Sequence, residues 1–120
     1  RSSIVIKQER THNSYLKYSV MAFQMDAQPI ILIVNNGSYG TIRMHQERDF
    51  PHRVSGTEII NPDFSALARS YGFHGERVET TAKFADAFDR ALASKTGAVL
   101  DLNVAVEAIT PLKTLTQFQS

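Results

Sequence analysis

A short apolar run that ends in two asparagines and a glycine constrains this chain more than any other feature. Ile30–Val34 is five consecutive apolar residues, four of them β-branched, which predicts a short strand buried on both faces. Asn35, Asn36 and Gly37 follow at once, and because Asn and Gly tolerate positive φ, the chain should turn sharply there. Residues 39–47 then predict a helix. In open α/β folds ligands bind at the carboxyl ends of the strands, where a helix N-terminus favours phosphate; a plain strand-to-helix connection is the simpler alternative.

The rest of the chain alternates strands and helices, as a layered α/β fold requires. Each strand is predicted from a β-branched or alternating apolar pattern, and each helix from apolar residues three and four apart. The loop is predicted from Pro51, Gly56 and mixed polarity. The predicted strands are 3–6, 29–34, 77–79 and 98–104; the predicted helices are 13–25, 39–47, 61–72 and 80–97; the long loop is 48–60.

Two of these helices carry clear terminal signals. In the first, Asn61 is the predicted N-cap, Pro62 the first helical residue, and Gly72 the left-handed stop. In the second, Thr80 or Thr81 is the predicted N-cap and Gly97 ends the helix. The apolar stripes of both helices are interpreted as core; they are Phe64, Leu67, Ala68 and Tyr71, and then Phe84, Ala87, Phe88, Ala91 and Leu92.

Composition limits the class of protein. At 120 residues the chain is predicted to be one domain with a real core. It has no cysteine, which excludes disulfides, a thiol nucleophile and a Cys-type zinc site. A net charge of +1 argues against a nucleic-acid partner, and no apolar run approaches the ~20 residues that cross a bilayer. We therefore expect a cytoplasmic protein with no membrane or nucleic-acid partner.

Other candidate chemistry is sparse. A predicted helix end separates His45 from His52, so a shared metal site is disfavoured against two surface histidines. His74 is expected in a turn. Glu76 and Glu79 are not expected to be buried, so they do not form an acid/base pair.

The apolar run and its continuation through Glu47 resemble one known family. Residues 29–47, 61–72 and 107–111 are similar to the C-terminal cofactor-binding domain of thiamine pyrophosphate-dependent enzymes, the acetolactate synthase and benzoylformate decarboxylase group. The resemblance spans about residues 21–115. It implies a three-layer α/β fold, a mostly parallel, flavodoxin-like sheet flanked by helices.

The resemblance also implies a site. In the family the second Asn of the turn gives a side-chain oxygen to Mg2+, and the residue two further on gives a backbone carbonyl; here these are Asn36 and Ser38. Gly37 and Tyr39 complete the implied thiamine diphosphate-binding loop. Oxygen ligands suit Mg2+, which also holds the diphosphate. No catalytic residue is assigned.

The first half of the family's motif differs here. The family has Gly-Asp-Gly, whose Asp ligates Mg2+, and at the matching distance, 27 residues before Asn36, this chain has Glu9 between Gln8 and Arg10. We interpret Glu9 as a chance carboxylate; a substitute Mg2+ ligand is the alternative. Residues 1–17 carry a charge of +3 and the remainder −2. We therefore predict a divergent segment at 1–20 and a cofactor-domain remnant at 21–120.

The origin of this segment has several possible explanations. A split gene, a pseudogene remnant, and a cloning scar at Arg1-Ser2-Ser3 in a chain without an initiator Met all fit. A basic nucleic-acid arm is disfavoured, because the charges are scattered without aromatic interleaving.

What the family does sets the functional expectation. Its cofactor stabilises the carbanion left when a 2-oxo acid is decarboxylated, and an activating Glu comes from a separate N-terminal domain. We therefore expect a diphosphate-anchoring fragment, inactive alone, of a 2-oxo acid decarboxylase or acetolactate synthase-like enzyme. Expected partners are a second copy of the chain, with residues 1–25 at the contact, and possible separately encoded N-terminal domains. The alternative is a non-catalytic α/β remnant or interaction module, and the 2-oxo acid is not identified.

Overall fold

The computed structural model describes residues 2–8 and 28–119. The helix predicted at 13–25 and the carboxylate of Glu9 lie outside these residues. In chain order the elements are strands β1 (Ser2–Gln8) and β2 (Gln28–Asn35), helices α1 (Gly40–Asp49) and α2 (Phe64–Ser70), strand β3 (His74–Val78), a 3-10 turn (Thr81–Lys83), helix α3 (Phe84–Ala93), strand β4 (Ala98–Asn103) and helix α4 (Leu115–Phe118).

The chain divides into two compact units. The first is made of Arg1–Asn35 and Pro62–Asn103, and the second of Asn36–Asn61 and Val104–Ser120. All four described strands belong to the first unit. The division falls between the two consecutive asparagines.

The first unit is built on a four-stranded parallel sheet. Its strand order is β1-β2-β4-β3, and every neighbouring pair is parallel. Strand β2 lies between β1 and β4, in register from Ser2 opposite Gln28 on one side and Ile30 opposite Ala98 on the other. The expected α/β fold with a parallel sheet is confirmed.

Alternation along β2 fills both faces of the sheet. Ile31 and Ile33 join a cluster with α2, and Ile30 and Leu32 join a cluster with α3 on the opposite face. This is the burial on both faces that five consecutive apolar residues predict. The first cluster contains Ile31, Ile33, Phe64, Ala68, Phe73 and Val99; the second contains Ile30, Leu32, Val78, Ala87, Ala91, Ala98 and Leu100.

Helix α2 lies unusually close to strand β3. A Cβ built on Gly75 would come 2.1 Å from the carbonyl oxygen of Ser65, closer than real contacts allow. Glycine at this position therefore sets the distance between helix and sheet, and any larger residue would push α2 away.

The start of α2 corrects one prediction and its end confirms another. Asp63, not Asn61, is the N-cap: its carboxylate accepts hydrogen bonds from the N–H of Ala66 at 3.0 Å and from the hydroxyl of Ser65 at 2.6 Å. These bonds lower the pKa of Asp63, with the Ser65 hydroxyl the largest cause. The sequence pattern placed the cap two residues too early, because the side-chain hydrogen bond that identifies the cap is visible only in the folded backbone. Gly72 has φ +85°, as the predicted left-handed stop requires.

Helix α3 is shorter than predicted. Its N-cap position is Lys83. Thr80 is instead the N-cap position of the preceding 3-10 turn, where it makes no side-chain capping bond. The helix ends at Ala93, before Gly97, because the chain must turn back to enter β4. Leu92 was predicted to be buried and is instead 49% exposed. Ala87 and Ala91 are the buried residues of α3, and Phe84 and Phe88 pack against the same cluster while partly buried.

Strand β3 begins earlier than predicted. His74 was expected in a turn and is instead the first residue of β3, because it pairs with Ala98, the first residue of β4. Its N–H donates to the carbonyl of Gly97 at 3.0 Å.

The second unit contains α1, α4 and the loops around them. Helix α1 confirms the helix predicted at 39–47, and residues 50–60 form the predicted loop. Helix α4 starts with a reciprocal capping box between Thr114 and Gln117, and its Leu115 is fully buried. Glu107 accepts hydrogen bonds from the N–H and the hydroxyl of Thr116, which fastens the segment before α4 to the helix. Within the described residues, no helix is both long and apolar enough to span a membrane.

Candidate functional site

The loop Asn36–Tyr39 contains the four residues that the family resemblance implies for a cofactor site. It opens with a turn closed by a side chain: the amide oxygen Oδ1 of Asn36 accepts a hydrogen bond from the N–H of Ser38 at 3.0 Å. Gly37, between them, has φ +64°, the left-handed conformation that favours glycine. The predicted sharp turn is therefore present.

A second tight turn leads into helix α1. The carbonyl of Ser38 accepts from the N–H of Gly40 at 2.8 Å, and Tyr39 between them has φ −71° and ψ 72°. These angles are those of an inverse γ-turn. Tyr39 is the N-cap position of α1, where it makes no side-chain capping bond to the described chain. The first turn of α1 therefore presents backbone N–H groups without a side-chain acceptor from its own cap.

The loop is fastened to the segment 57–59 by backbone hydrogen bonds. The N–H of Tyr39 donates to the carbonyl of Thr57 at 2.8 Å, and the N–H of Ile59 donates to the carbonyl of Gly37 at 2.9 Å. An antiparallel bridge places Ser38 opposite Glu58. The last residues of the predicted loop 48–60 therefore hydrogen-bond to the candidate site through their backbone. No local sequence pattern predicted this contact.

Burial differs along the loop. Ser38 is only 2% exposed, Asn36 and Gly37 are half-buried, and Tyr39 is exposed. A Cβ on Gly40 would lie 2.6 Å from Cδ1 of Ile109 and 3.0 Å from Nδ2 of Asn36. The absence of a side chain at Gly40 therefore lets the helix start close to the Asn36 amide.

The two implied ligand atoms, Oδ1 of Asn36 and the carbonyl oxygen of Ser38, are of the chemical type that Mg2+ prefers. Both predicted ligand oxygens already accept one local hydrogen bond, and each carbonyl-type oxygen keeps a second lone pair. Both are neutral oxygens, the type that Mg2+ accepts beside carboxylates, phosphates and water. Among residues 2–8 and 28–119 no group of three His, Cys, Asp or Glu side chains could hold a metal ion. A cation held by these two neutral oxygens would need its charge balanced by a bound diphosphate or by a carboxylate.

The first unit holds a buried polar pair that sequence reasoning missed. Asp101 is 2% exposed, and one of its oxygens accepts a hydrogen bond from Nδ2 of Asn35 at 3.1 Å. Burial raises the pKa of Asp101, against the lowering effect of the Asn35 hydrogen bond. The sequence feature that could have predicted this pair is a carboxylate in the middle of the otherwise apolar strand β4.

A charged cluster on β3 and α3 was also missed. Glu76 accepts hydrogen bonds from the guanidinium of Arg90 and lies 3.0 Å from Nε2 of His74, with its side chain 25% exposed. The Arg90 hydrogen bond is the main cause that lowers the pKa of Glu76. Glu79 lies beside Arg77, with Oε1 of Glu79 3.5 Å from Nε of Arg77, and its side chain is exposed.

Comparison with known sequences identifies the protein family to which the chain is similar. The model of the family described as "Thiamine pyrophosphate enzyme, C-terminal TPP binding domain" matches residues 14–102. The acetolactate synthase large subunit of Parasynechococcus marenigrum is 36% identical over 76 residues, 62% of this chain and 12% of that protein. The mitochondrial acetolactate synthase catalytic subunit of Saccharomyces cerevisiae is 34% identical over 109 residues, 91% of this chain and 16% of that protein. The chain thus spans less than a fifth of the length of these relatives.

Comparison with solved structures agrees on the fold. The chain superposes on benzoylformate decarboxylase from Polynucleobacter necessarius with a TM-score of 0.74 and 20% sequence identity. The superposition covers 89% of this chain and 20% of that one. At 20% identity this similarity establishes the fold and carries no conclusion about binding or catalysis.

Proposed function

Because this chain belongs to the family of C-terminal thiamine pyrophosphate-binding domains, we propose that it anchors the diphosphate of thiamine diphosphate through Mg2+. The enzyme to which such a domain contributes would be a 2-oxo acid decarboxylase or an acetolactate synthase-like enzyme. The family match over residues 14–102 is the observation that carries this proposal.

Four residues of one loop have the proposed roles. Asn36 would bind Mg2+ through Oδ1 and Ser38 through its backbone carbonyl, while Gly37 and Tyr39 would shape the loop against the diphosphate. The N-cap residue of α1 makes no side-chain capping bond, and the N-terminus of a helix favours the negative charge of a phosphate. When bound, the cofactor supplies the electron sink for 2-oxo acid decarboxylation, and the chain's own part is to hold and orient it.

The isolated chain is proposed to be inactive. By resemblance, the glutamate that activates the cofactor belongs to an N-terminal domain, and the Gly-Asp-Gly half of the motif is replaced by Gln8, Glu9 and Arg10. With two neutral protein oxygens, cation affinity should be weak. Separately encoded N-terminal domains are therefore a proposed partner, and the boundary predicted at residue 20 stays a prediction.

Calorimetry tests the cofactor role. Titration of the chain with thiamine diphosphate in the presence of Mg2+ should give weak, saturable heat that disappears when EDTA removes the metal. Tight binding would contradict the proposed inactive half-site and would promote Glu9 to a metal ligand. Absence of any binding heat would favour the second candidate function, a non-catalytic α/β module.

Asn36→Ala separates metal binding from folding. The substitution removes one turn hydrogen bond of a half-buried residue, so we expect a loss of about 1 kcal/mol or less in unfolding free energy. Mg2+ should raise the melting temperature of the parent chain by mass action and leave that of Asn36→Ala unchanged. An equal metal response in both proteins would remove Asn36 from the site.

A second copy of the chain is a further proposed partner. In the second unit Phe50, Ile60 and Leu112 are largely exposed, and exposed apolar surface favours association. We expect a homodimer or larger closed assembly by light scattering at micromolar concentration. A monodisperse monomer would contradict this, and a dimer that survives deletion of residues 1–17 would remove that segment from the contact. Cytoplasmic placement stays a prediction.

The second candidate function is a non-catalytic α/β module. It is favoured by one observation: both proposed ligand oxygens already accept hydrogen bonds within the loop, so the loop holds its shape without a cation. Lack of any Mg2+ effect on the melting temperature would support it.

A further inference from the structure

Ser38 uses all three of its polar groups inside the second unit. Its N–H donates to Oδ1 of Asn36 at 3.0 Å, its carbonyl accepts from the N–H of Gly40 at 2.8 Å, and its hydroxyl donates to the carbonyl of Thr57 at 3.1 Å. The first two bonds involve the oxygens proposed for Mg2+. The third leaves the loop and reaches a residue 19 positions away.

Thr57 holds the loop through its backbone. It is 1% exposed, and its carbonyl accepts both the hydroxyl of Ser38 and the N–H of Tyr39. Its own hydroxyl, by contrast, has no hydrogen-bond partner in the part of the chain that the structure describes. The peptide that follows Ser38 is thus fixed from both ends, by its side chain and by the next N–H.

We propose that the Ser38 hydroxyl is a positioning group for the metal loop, which aims the Ser38 carbonyl and the Asn36 amide oxygen through its bond to the Thr57 carbonyl. This inference rests on the proposed Mg2+ role and adds the segment 57–59 to the site as its support. Metal ligands held by outer hydrogen bonds lose affinity when those bonds are removed. The resemblance assigned Ser38 only its carbonyl; its side chain had no role.

The chain contains a matched control serine. Ser65 is 4% exposed and its hydroxyl also donates one hydrogen bond, to Asp63 at 2.6 Å, in the other unit. Ser38→Ala and Ser65→Ala therefore each delete one buried hydroxyl and one hydrogen bond. Both should lower stability, but only Ser38→Ala should change metal affinity.

The experiment is a Mn2+ titration of the full chain followed by paramagnetic broadening of backbone amide signals. Mn2+ accepts the same oxygen ligands as Mg2+. In the parent chain, broadening should saturate and be strongest around residues 36–40. Ser38→Ala should weaken the apparent Mn2+ affinity by about 10-fold or more, and Ser65→Ala should match the parent.

Each outcome decides the inference. Affinity of Ser38→Ala equal to that of a parent that binds Mn2+ would overturn the positioning role and leave the proposed function standing. No saturable broadening of the parent at the loop would overturn both. Equal weakening in Ser65→Ala would also overturn it, since general destabilisation would then explain the loss.

A measurement on the parent chain needs no folded variant. If the segment 57–59 supports the metal loop, Mg2+ should slow hydrogen exchange at the amides of Tyr39 and Ile59, whose bonds join loop and support. Slowing at Ser38 and Gly40 with no change at Tyr39 and Ile59 would contradict the inference.

Discussion

The two consecutive asparagines, Asn35 and Asn36, lie in different units of the chain and make different kinds of contact. Asn35 closes strand β2 in the sheet unit, where its side chain donates to a buried carboxylate. Asn36 opens the second unit, where its side chain folds back on the next turn of backbone. The sheet unit is held by two apolar clusters, whereas the loop is held by backbone bonds to residues 57–59. Residues adjacent in sequence can thus belong to parts of the fold that are held together by different interactions.

This contrast implies different sensitivities to substitution. Apolar clusters lose stability in proportion to the volume removed, because close-packed neighbours relax only partly. A loop held by hydrogen bonds loses about 1 kcal/mol per bond, so its substitutions should show in ligand geometry before they show in folding.

Leu100→Ala should have the largest effect. Leu100 is fully buried in the cluster under α3, so its truncation should cost about 2–5 kcal/mol of unfolding free energy, measured by urea denaturation. Leu92→Ala, the same change on the exposed side of α3, should cost less than about 0.5 kcal/mol. Similar losses for both would mean that the burial assigned to these two leucines is wrong.

Asp63→Ala should have an intermediate effect within the sheet unit. The variant removes the N-cap acceptor of α2, which should cost about 1 kcal/mol. Asp63→Asn keeps an acceptor oxygen and should recover most of that loss. Thermal unfolding of both variants measures this, and no difference between Asp63→Ala and the parent would return the cap to Asn61.

Thr57→Val should stabilise the loop unit slightly. The hydroxyl of Thr57 is buried and has no partner among the described residues, so replacing it with a methyl group of similar shape removes a desolvation cost. We expect a gain of up to about 1 kcal/mol in chemical denaturation. Thr57→Ser, which keeps the hydroxyl and loses the methyl group, should instead be destabilised. A loss in Thr57→Val would show that the hydroxyl makes a stabilising contact.

The smallest expected effect is a pH dependence of the sheet unit. Because burial raises the pKa of Asp101, its contribution is present below its unfolded pKa, about 3.9, and is lost as pH rises through the folded value. Asp101→Asn should therefore remove part of the stability decline above about pH 4. Denaturant midpoints at several pH values measure this, and parallel curves for parent and variant would contradict it.

Glu76 should oppose that trend. Its pKa is lowered chiefly by Arg90, so its stabilisation is present above its unfolded pKa, about 4.3, and is lost as pH falls through the folded value. Since the pair is partly exposed, added salt should reduce this effect. Arg90→Leu is the matching variant, and it should lose the salt-sensitive part.

Where the residue pattern had one physical solution, it predicted the structure well. A run of five apolar residues has to be covered on two faces, so β2, the layered fold and the buried stripe residues Phe64 and Ala68 followed from sequence. Gly37 and Gly72 were placed correctly because few other residues accept a left-handed backbone. At the N-cap of α2 both Asn61 and Asp63 are residue types that cap helices, and the prediction of Asn61 was wrong.

The sequence by itself determined the strand, the turn and the family resemblance, because periodicity and glycine placement are local properties. Only the tertiary structure decided which polar groups meet. The Asn35 to Asp101 bond spans 66 positions and the Ser38 to Thr57 bond spans 19, and neither has a local pattern. Such contacts depend on strand order and loop path, which fix distances between residues far apart in the chain. The support of the candidate metal loop therefore had to be seen in the folded molecule.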